Sequence, residues 1–229
     1  MRFELSCLLA LVLLSFELTS PASGSRPSDS ACGEAAAAAL QRRYESARDL
    51  RAEIVQTTRS ASLGTGPSHS IVSSGTVTLA KPGKLRWSYE QPEPSLVVSD
   101  GATLWIYDPQ FQEVQKLPAT EGYLSGAAIQ FLLGEGDMGR DFEISALACG
   151  EDSAELLLVP RTPASYEKLH VVVNPGTGDL QKTTVFFVLG NVTEVEFSDI
   201  QINLDPPPET FRLEPPSGVR VIELEPSPQ

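Results

Sequence analysis

Metal binding and nucleophilic catalysis draw most often on histidine and cysteine, and the 229-residue chain has 2 histidines and 3 cysteines. A zinc site needs three or four such ligands at close, characteristic spacing. A catalytic thiol needs a base beside it. His69, His170, Cys32 and Cys149 are scattered singly and meet neither requirement. "GEGDMG" places Gly134, Gly136 and Gly139 in the G-x-G-x-x-G order of dinucleotide sites. That pattern works where a strand hands over to a helix whose first N–H groups face the pyrophosphate. Here helix-like residues precede it and strand-like residues follow. No P-loop and no G-x-S-x-G pattern occurs. Glu194 and Glu196 alternate along a strand and read as a solvated face, not as an acid/base pair. His170, between Leu169 and Val171, reads as a surface residue. Asn191-Val192-Thr193 fits a glycosylation acceptor, which is read as incidental. The expectation is a protein that is not an enzyme and uses no cofactor or metal.

The aromatic residues are more informative. Both tryptophans fall in "KPGKLRWSYEQPEPSLVVSDGATLWIYDP", Lys81 to Pro109. In the first strand-like run, Leu85, Trp87 and Tyr89 share one face, while Arg86, Ser88 and Glu90 share the other. "TLWIY" adds Trp105 and Tyr107 and is apolar on both faces, so cover on both sides is expected. Two readings stand. These side chains are ordinary core, or they line a cavity that takes up an apolar ligand such as an acyl chain. Each buried methylene contributes about 0.8 kcal/mol, so a long chain can be held without polar recognition.

The elements that must position these residues are mostly strands. Residues 1–24 read as an export signal: Arg2, an apolar run from Leu5 to Phe16 too short to span a bilayer, then small residues with a cut after Gly24. Residues 25–33 read as a flexible linker, 34–224 as one domain and 225–229 as a frayed tail. "EAAAAALQRRYESARDL" is the best helix, with Ala36, Leu40, Tyr44 and Ala47 on one stripe. "EGYLSGAAIQFLLGEG" reads as a short apolar helix presenting Leu124, Ala128 and Phe131. Asp100-Gly101 and "NPGTGD" are hairpin turns. In "VTEVEFSDIQINL" the apolar parity switches near Ser198-Asp199, which predicts a β-bulge. About eleven strands and two helical stretches, without βαβ alternation, predict an antiparallel sheet that is strongly curved or partly closed, with helices on one side. Cys7 leaves with the signal. Cys32 and Cys149 then form a disulfide in the oxidising compartment or stand as two buried thiols. A net charge of −13 and a pI near 4.6 exclude nucleic acid and a polybasic membrane-surface role.

The stretch from Lys81 to Val114 resembles the outer-membrane lipoprotein carrier proteins, the LolA family. It shows a K/R-P element, an apolar-x-W run, a Q-P break, "VSDG" and "TLW-aromatic-Y" in that order. "FSDIQINLDPPPETFRLEPPSGVRVI" resembles the family's C-terminal signature, and "LQRRYESARDLRAEIVQ" its first helix and strand. The resemblance implies an unclosed antiparallel barrel under a helical lid. It implies a monomeric periplasmic carrier in a Gram-negative bacterium. Such a carrier takes acylated lipoproteins from an inner-membrane ABC transporter and delivers them to an outer-membrane receptor. A paralogous carrier of lipid or pigment precursor, or an acyl-chain sensor of the same fold, is the alternative. Leu85, Trp87 and Tyr89, with Trp105 and Tyr107, are the expected cavity residues. Leu40, Tyr44, Leu124, Ala128 and Phe131 are the expected lid residues. Where studied members have an arginine that bonds lid carbonyls, this chain has Lys81, which keeps the charge but loses the planar fork of donors. The chain ends soon after "GVRV", so the extra strand that some members add there is not expected.

Overall fold

Alternating apolar and polar residues build one twelve-stranded sheet in the computed structural model, which describes residues 29–61, 70–119 and 137–224. Helix α1 spans Asp29–Ser46. The first meander comprises β1 (Asp49–Arg59), β2 (Ser70–Ala80), β3 (Lys84–Gln91), β4 (Ser95–Asp100), β5 (Thr103–Asp108) and β6 (Glu113–Pro118). A one-turn helix α2 (Met138–Asp141) leads into the second meander. Its strands are β7 (Phe142–Cys149), β8 (Ala154–Pro160), β9 (Tyr166–Val173), β10 (Leu180–Phe187) and β11 (Val192–Ile202). A 3-10 turn (Pro208–Phe211) and β12 (Arg220–Glu223) close the described chain. The spatial order is β12-β6-β5-β4-β3-β2-β1-β11-β10-β9-β8-β7, so the meanders join through β1 and β11. Each hydrogen-bonded neighbour pair is antiparallel except β12, which runs parallel to β6.

Several sequence expectations meet this architecture directly. Asp100 Oδ1 accepts from the N–H groups of Ala102 and Thr103, and Gly101 takes φ +96°, which completes the β4–β5 turn. Asn174–Asp179 joins β9 to β10. The pairing of β1 with β11 slips by one residue between Arg51 and Glu53, and Asp199 there has φ +49°. That bulge lets Val195 and Phe197 face the same core as Ile200 and Ile202 despite their opposite parity.

Two expectations are corrected and the strand count is made definite. The helix starts at Asp29, inside the stretch expected to be linker, because the acidic and alanine-rich residues after it favour helix and Cys32 is tied to the sheet. The strands number twelve among the described residues. The last of them is the "RVIE" segment, β12, which pairs with β6. "TLWIY" does not put its aromatics on the inner face, as described below. The export signal, the tail 225–229 and the second helix with Leu124, Ala128 and Phe131 lie outside the described residues.

The core forms between the inner face of the sheet and α1. Leu50, Ala52 and Ile54 of β1, Val77 and Leu79 of β2, and Leu85 and Trp87 of β3 pack with Leu156, Leu169 and Val171 of the second meander. Ala36, Leu40 and Tyr44 of α1 seal this surface. Asp49, buried at the α1–β1 junction, accepts from the backbone N–H groups of Leu204 and Asp205, which fixes where the chain leaves β11.

Candidate functional site

In an antiparallel sheet, directly paired residues project from the same face. Leu85 pairs with Leu79 and Ser99, and Trp87 pairs with Val77 and Val97. The same rows run through β1 by Leu50 and Ala52 and through β5 by Leu104 and Ile106. The inner face is therefore graded along the strands. At one end it is Leu50, Leu79, Leu85, Leu104 and Leu117, all buried. At the other it is Gln56, Thr58, Ser73 and Ser95, which border a cavity of about 340 Å³ together with Tyr89 and Ile71. Tyr89 stands at the boundary. Its hydroxyl donates to Gln56 Oε1 at 3.0 Å, and the Gln56 amide donates to Thr58 Oγ1 at 3.2 Å. Burial raises the Tyr89 phenol above its ordinary range, and the bond to Gln56 offsets part of that.

Trp105 and Tyr107 are elsewhere. Trp105 pairs with Val98, which pairs with Arg86, and Tyr107 pairs with Leu96 and Val114. This is the outer face, opposite to Leu85, Trp87 and Tyr89. The 3-10 turn lies against it: Phe211 is buried, Lys84 Nζ stands 6.0 Å over its ring, and Arg86 Nη1 donates to the Thr210 carbonyl at 3.3 Å. The turn covers this face at β3 and β4, and the two aromatic pairs belong to different surfaces. Their spacing within each strand was legible; the relation between the strands depended on register.

Helix α1 is held over the inner face from both ends. Near its start, Cys32 is disulfide-bonded to Cys149 at the end of β7, with the Cα atoms 6.4 Å apart. In its last turn, Arg43 Nε meets Asp179 Oδ1 at 2.8 Å. Gly178 beside it takes φ +76°, and a side chain there would run into the Ala39 carbonyl. The Tyr44 hydroxyl, buried, accepts the Leu180 N–H at 3.1 Å. Its pKa is pushed up to about 12 by burial, partly offset by the Leu180 N–H. At its end, Lys81 Nζ donates to the carbonyls of Tyr44 at 2.6 Å and Glu45 at 3.3 Å, and the Lys81 backbone N–H donates to Arg48 O at 2.9 Å. The last turn of a helix leaves its carbonyls without intrahelical donors and carries partial negative charge, so a cation is well placed there. Burial lowers the Lys81 pKa, and the Glu45 carboxylate opposes that. Sequence reasoning missed Gln41, whose Oε1 accepts the Met138 N–H at 3.1 Å and so ties α2 to α1. It also missed Arg43. Neither has a signal in sequence beyond helix position.

The remaining polar groups are placed for structure. Lys182 bridges Glu196 at 2.9 Å and Glu194 at 3.5 Å on the outer face. His170 tilts against Phe186 with ring centroids 4.9 Å apart, and burial followed by the Lys168 charge lowers its pKa. Among the described residues no group of three or more His, Cys, Asp or Glu is placed to hold a metal.

A helix sealed over a graded, apolar sheet face invites comparison with known proteins. The family model "Outer membrane lipoprotein carrier protein LolA" matches residues 45–214. The chain belongs to this family. An outer-membrane lipoprotein carrier protein of Dechloromonas aromatica is 35% identical over 176 residues, 76% of this chain and 81% of that one. One from Nitrosospira multiformis is 33% identical over 181 residues, 78% of this chain and 84% of that one. An uncharacterized conserved protein from Thermus thermophilus shares the fold at TM-score 0.52 and 9% identity, covering 82% of this chain and 99% of its own. The LolA match spans α1's last residues to the 3-10 turn, so it contains Lys81 and all the described inner-face residues of β1 to β5.

Proposed function

We propose that the protein is a non-enzymatic periplasmic carrier of acylated lipoproteins. It receives them from an inner-membrane ABC transporter, shields their acyl chains on the inner face of the sheet and passes them to an outer-membrane receptor as a monomer. The observation that carries this reading is the gradient from the leucine-lined floor at Leu85 to the polar rim at Gln56, beneath a helix. An acyl chain enters past Tyr89, displaces packing between α1 and the sheet, and leaves the polypeptide part of the cargo outside the rim. Lys81 opposes this by holding the last turn of α1 closed. The closed empty state competes with the open loaded one, which lowers apparent cargo affinity and makes onward transfer favourable. Membership of the LolA family and the names of relatives at 33–35% identity support lipoprotein as the cargo. The test is release from spheroplasts. Added protein should bring newly made lipoproteins into the soluble fraction in complex with it, and release that is the same without the protein would reject the reading.

A further inference from the structure

Trp87 lies midway along the gradient, between Leu85 toward the floor and Tyr89 at the rim, and is 6% exposed. Among the described residues its Nε1–H has no acceptor. Buried donors are nearly always paired, and one left unpaired weakens the folded state. The cross-strand neighbours cannot help, because Val77 and Val97 carry no side-chain acceptor. Tyr89, with its ring centroid 6.1 Å away, has given its hydroxyl to Gln56. An unpaired N–H in an apolar wall is a place where a ligand oxygen is worth most, since little water has to be displaced from the donor. We infer that the Trp87 indole N–H is a specificity contact that donates a hydrogen bond to the ester carbonyl oxygen of a bound acyl chain. The inference rests on the acyl-carrier reading and adds where the ligand stops. The alkyl tail lies on the leucine floor, the ester oxygen meets Trp87, and the polar head group faces Gln56 and Thr58. Plain hydrocarbon or ether-linked chains fill the same space but leave the donor unpaired.

The test uses two lipopeptides that differ only at the linkage, a dipalmitoylglyceryl-cysteine peptide and its dihexadecyl-ether twin. The chain has 2 tryptophans, so an amide-type NMR spectrum shows two indole N–H signals, and Trp105 on the outer face serves as the internal reference. The Trp87 signal should move downfield with the diester and not with the diether. Wild type should prefer the diester by about tenfold, the scale of one hydrogen bond to an otherwise unpaired buried donor. Trp87→Phe should bind both alike. Equal wild-type affinities with the Trp87 signal responding alike to both would overturn the inference and leave the carrier reading standing. Binding of neither lipopeptide would overturn both. The spectrum of the wild-type protein decides even if Trp87→Phe does not fold.

Discussion

Replacing Lys81 by leucine removes the two Nζ bonds to the Tyr44 and Glu45 carbonyls and keeps the backbone bond to Arg48. A hydrogen bond to a charged group contributes about 1.5–3 kcal/mol. The second bond is long at 3.3 Å and exposed, and the freed carbonyls return to water. A cation at a helix C-terminus adds about 0.3–1 kcal/mol. The net loss for the closed state is then about 1–2 kcal/mol, a factor of roughly 5–30 in the open population. If α1 must lift for cargo to enter, Lys81→Leu tightens retention of an acyl probe by up to that factor and slows its transfer to acceptor vesicles bearing the receptor. Lys81→Arg keeps charge and donors and should behave close to wild type. The assay is stopped-flow transfer of a fluorescent lipopeptide, with circular dichroism to show that each variant is folded. Release from folded Lys81→Leu at the wild-type rate would refute the latch. The helix would then be held by the Cys32 link, Arg43 and Tyr44 packing without help from this lysine.

Tyr44 gives a pH prediction: a phenol held at about 12 in the fold and near 10 when unfolded contributes stability below pH 10. That contribution, about 3 kcal/mol in all, is lost as pH rises from 10 toward 12. Urea midpoints measured across that range should fall more steeply for wild type than for Tyr44→Phe. At neutral pH the variant should be less stable by about 1–3 kcal/mol, because the Leu180 N–H loses its acceptor; parallel curves would contradict this. Replacing both Cys32 and Cys149 by alanine opens a loop with sequence separation 117 and should cost about 4–5 kcal/mol by loop entropy. The same change should speed acyl-probe uptake, since α1 loses its anchor on β7; unchanged thermal unfolding and uptake would count against that anchor. Trp105→Ala should leave acyl-probe affinity unchanged while Trp87→Ala weakens it, and equal losses would mean that both faces contribute to binding.

Much of the fold follows from short-range patterns. The alternation in "KLRWSYE", the turn at Asp100-Gly101 and the parity switch at Asp199 each express a local rule of strands, and each is found where its residues put it. The placing of Trp105 and Tyr107 is different. Which face they join depends on how β4 and β5 align with β3, and a shift of one residue would reverse it. An alternation that is apolar on both sides gives no cue. The start of α1 at Asp29 was hidden because Ser and Pro just before it read as linker, while the feature that fixes the helix, Cys149 on a strand far along the chain, is non-local. Lys81 was legible as a departure from an arginine in related sequences. That it meets lid carbonyls is what the family resemblance implies; which two, those of Tyr44 and Glu45, depends on how α1 docks in the tertiary fold. The unpaired Trp87 N–H is visible in the fold alone, since an absent partner leaves no trace in sequence.

Whether the protein carries lipoproteins is decided by native mass spectrometry of the protein isolated from cells that produce it. A complex of the chain with intact acylated lipoproteins is expected, lost when Leu85, buried on the inner face of the sheet, is replaced by glutamate. A protein that returns with free lipid or a small pathway intermediate, or with no acylated protein under conditions where lipoproteins are being exported, would contradict the carrier reading.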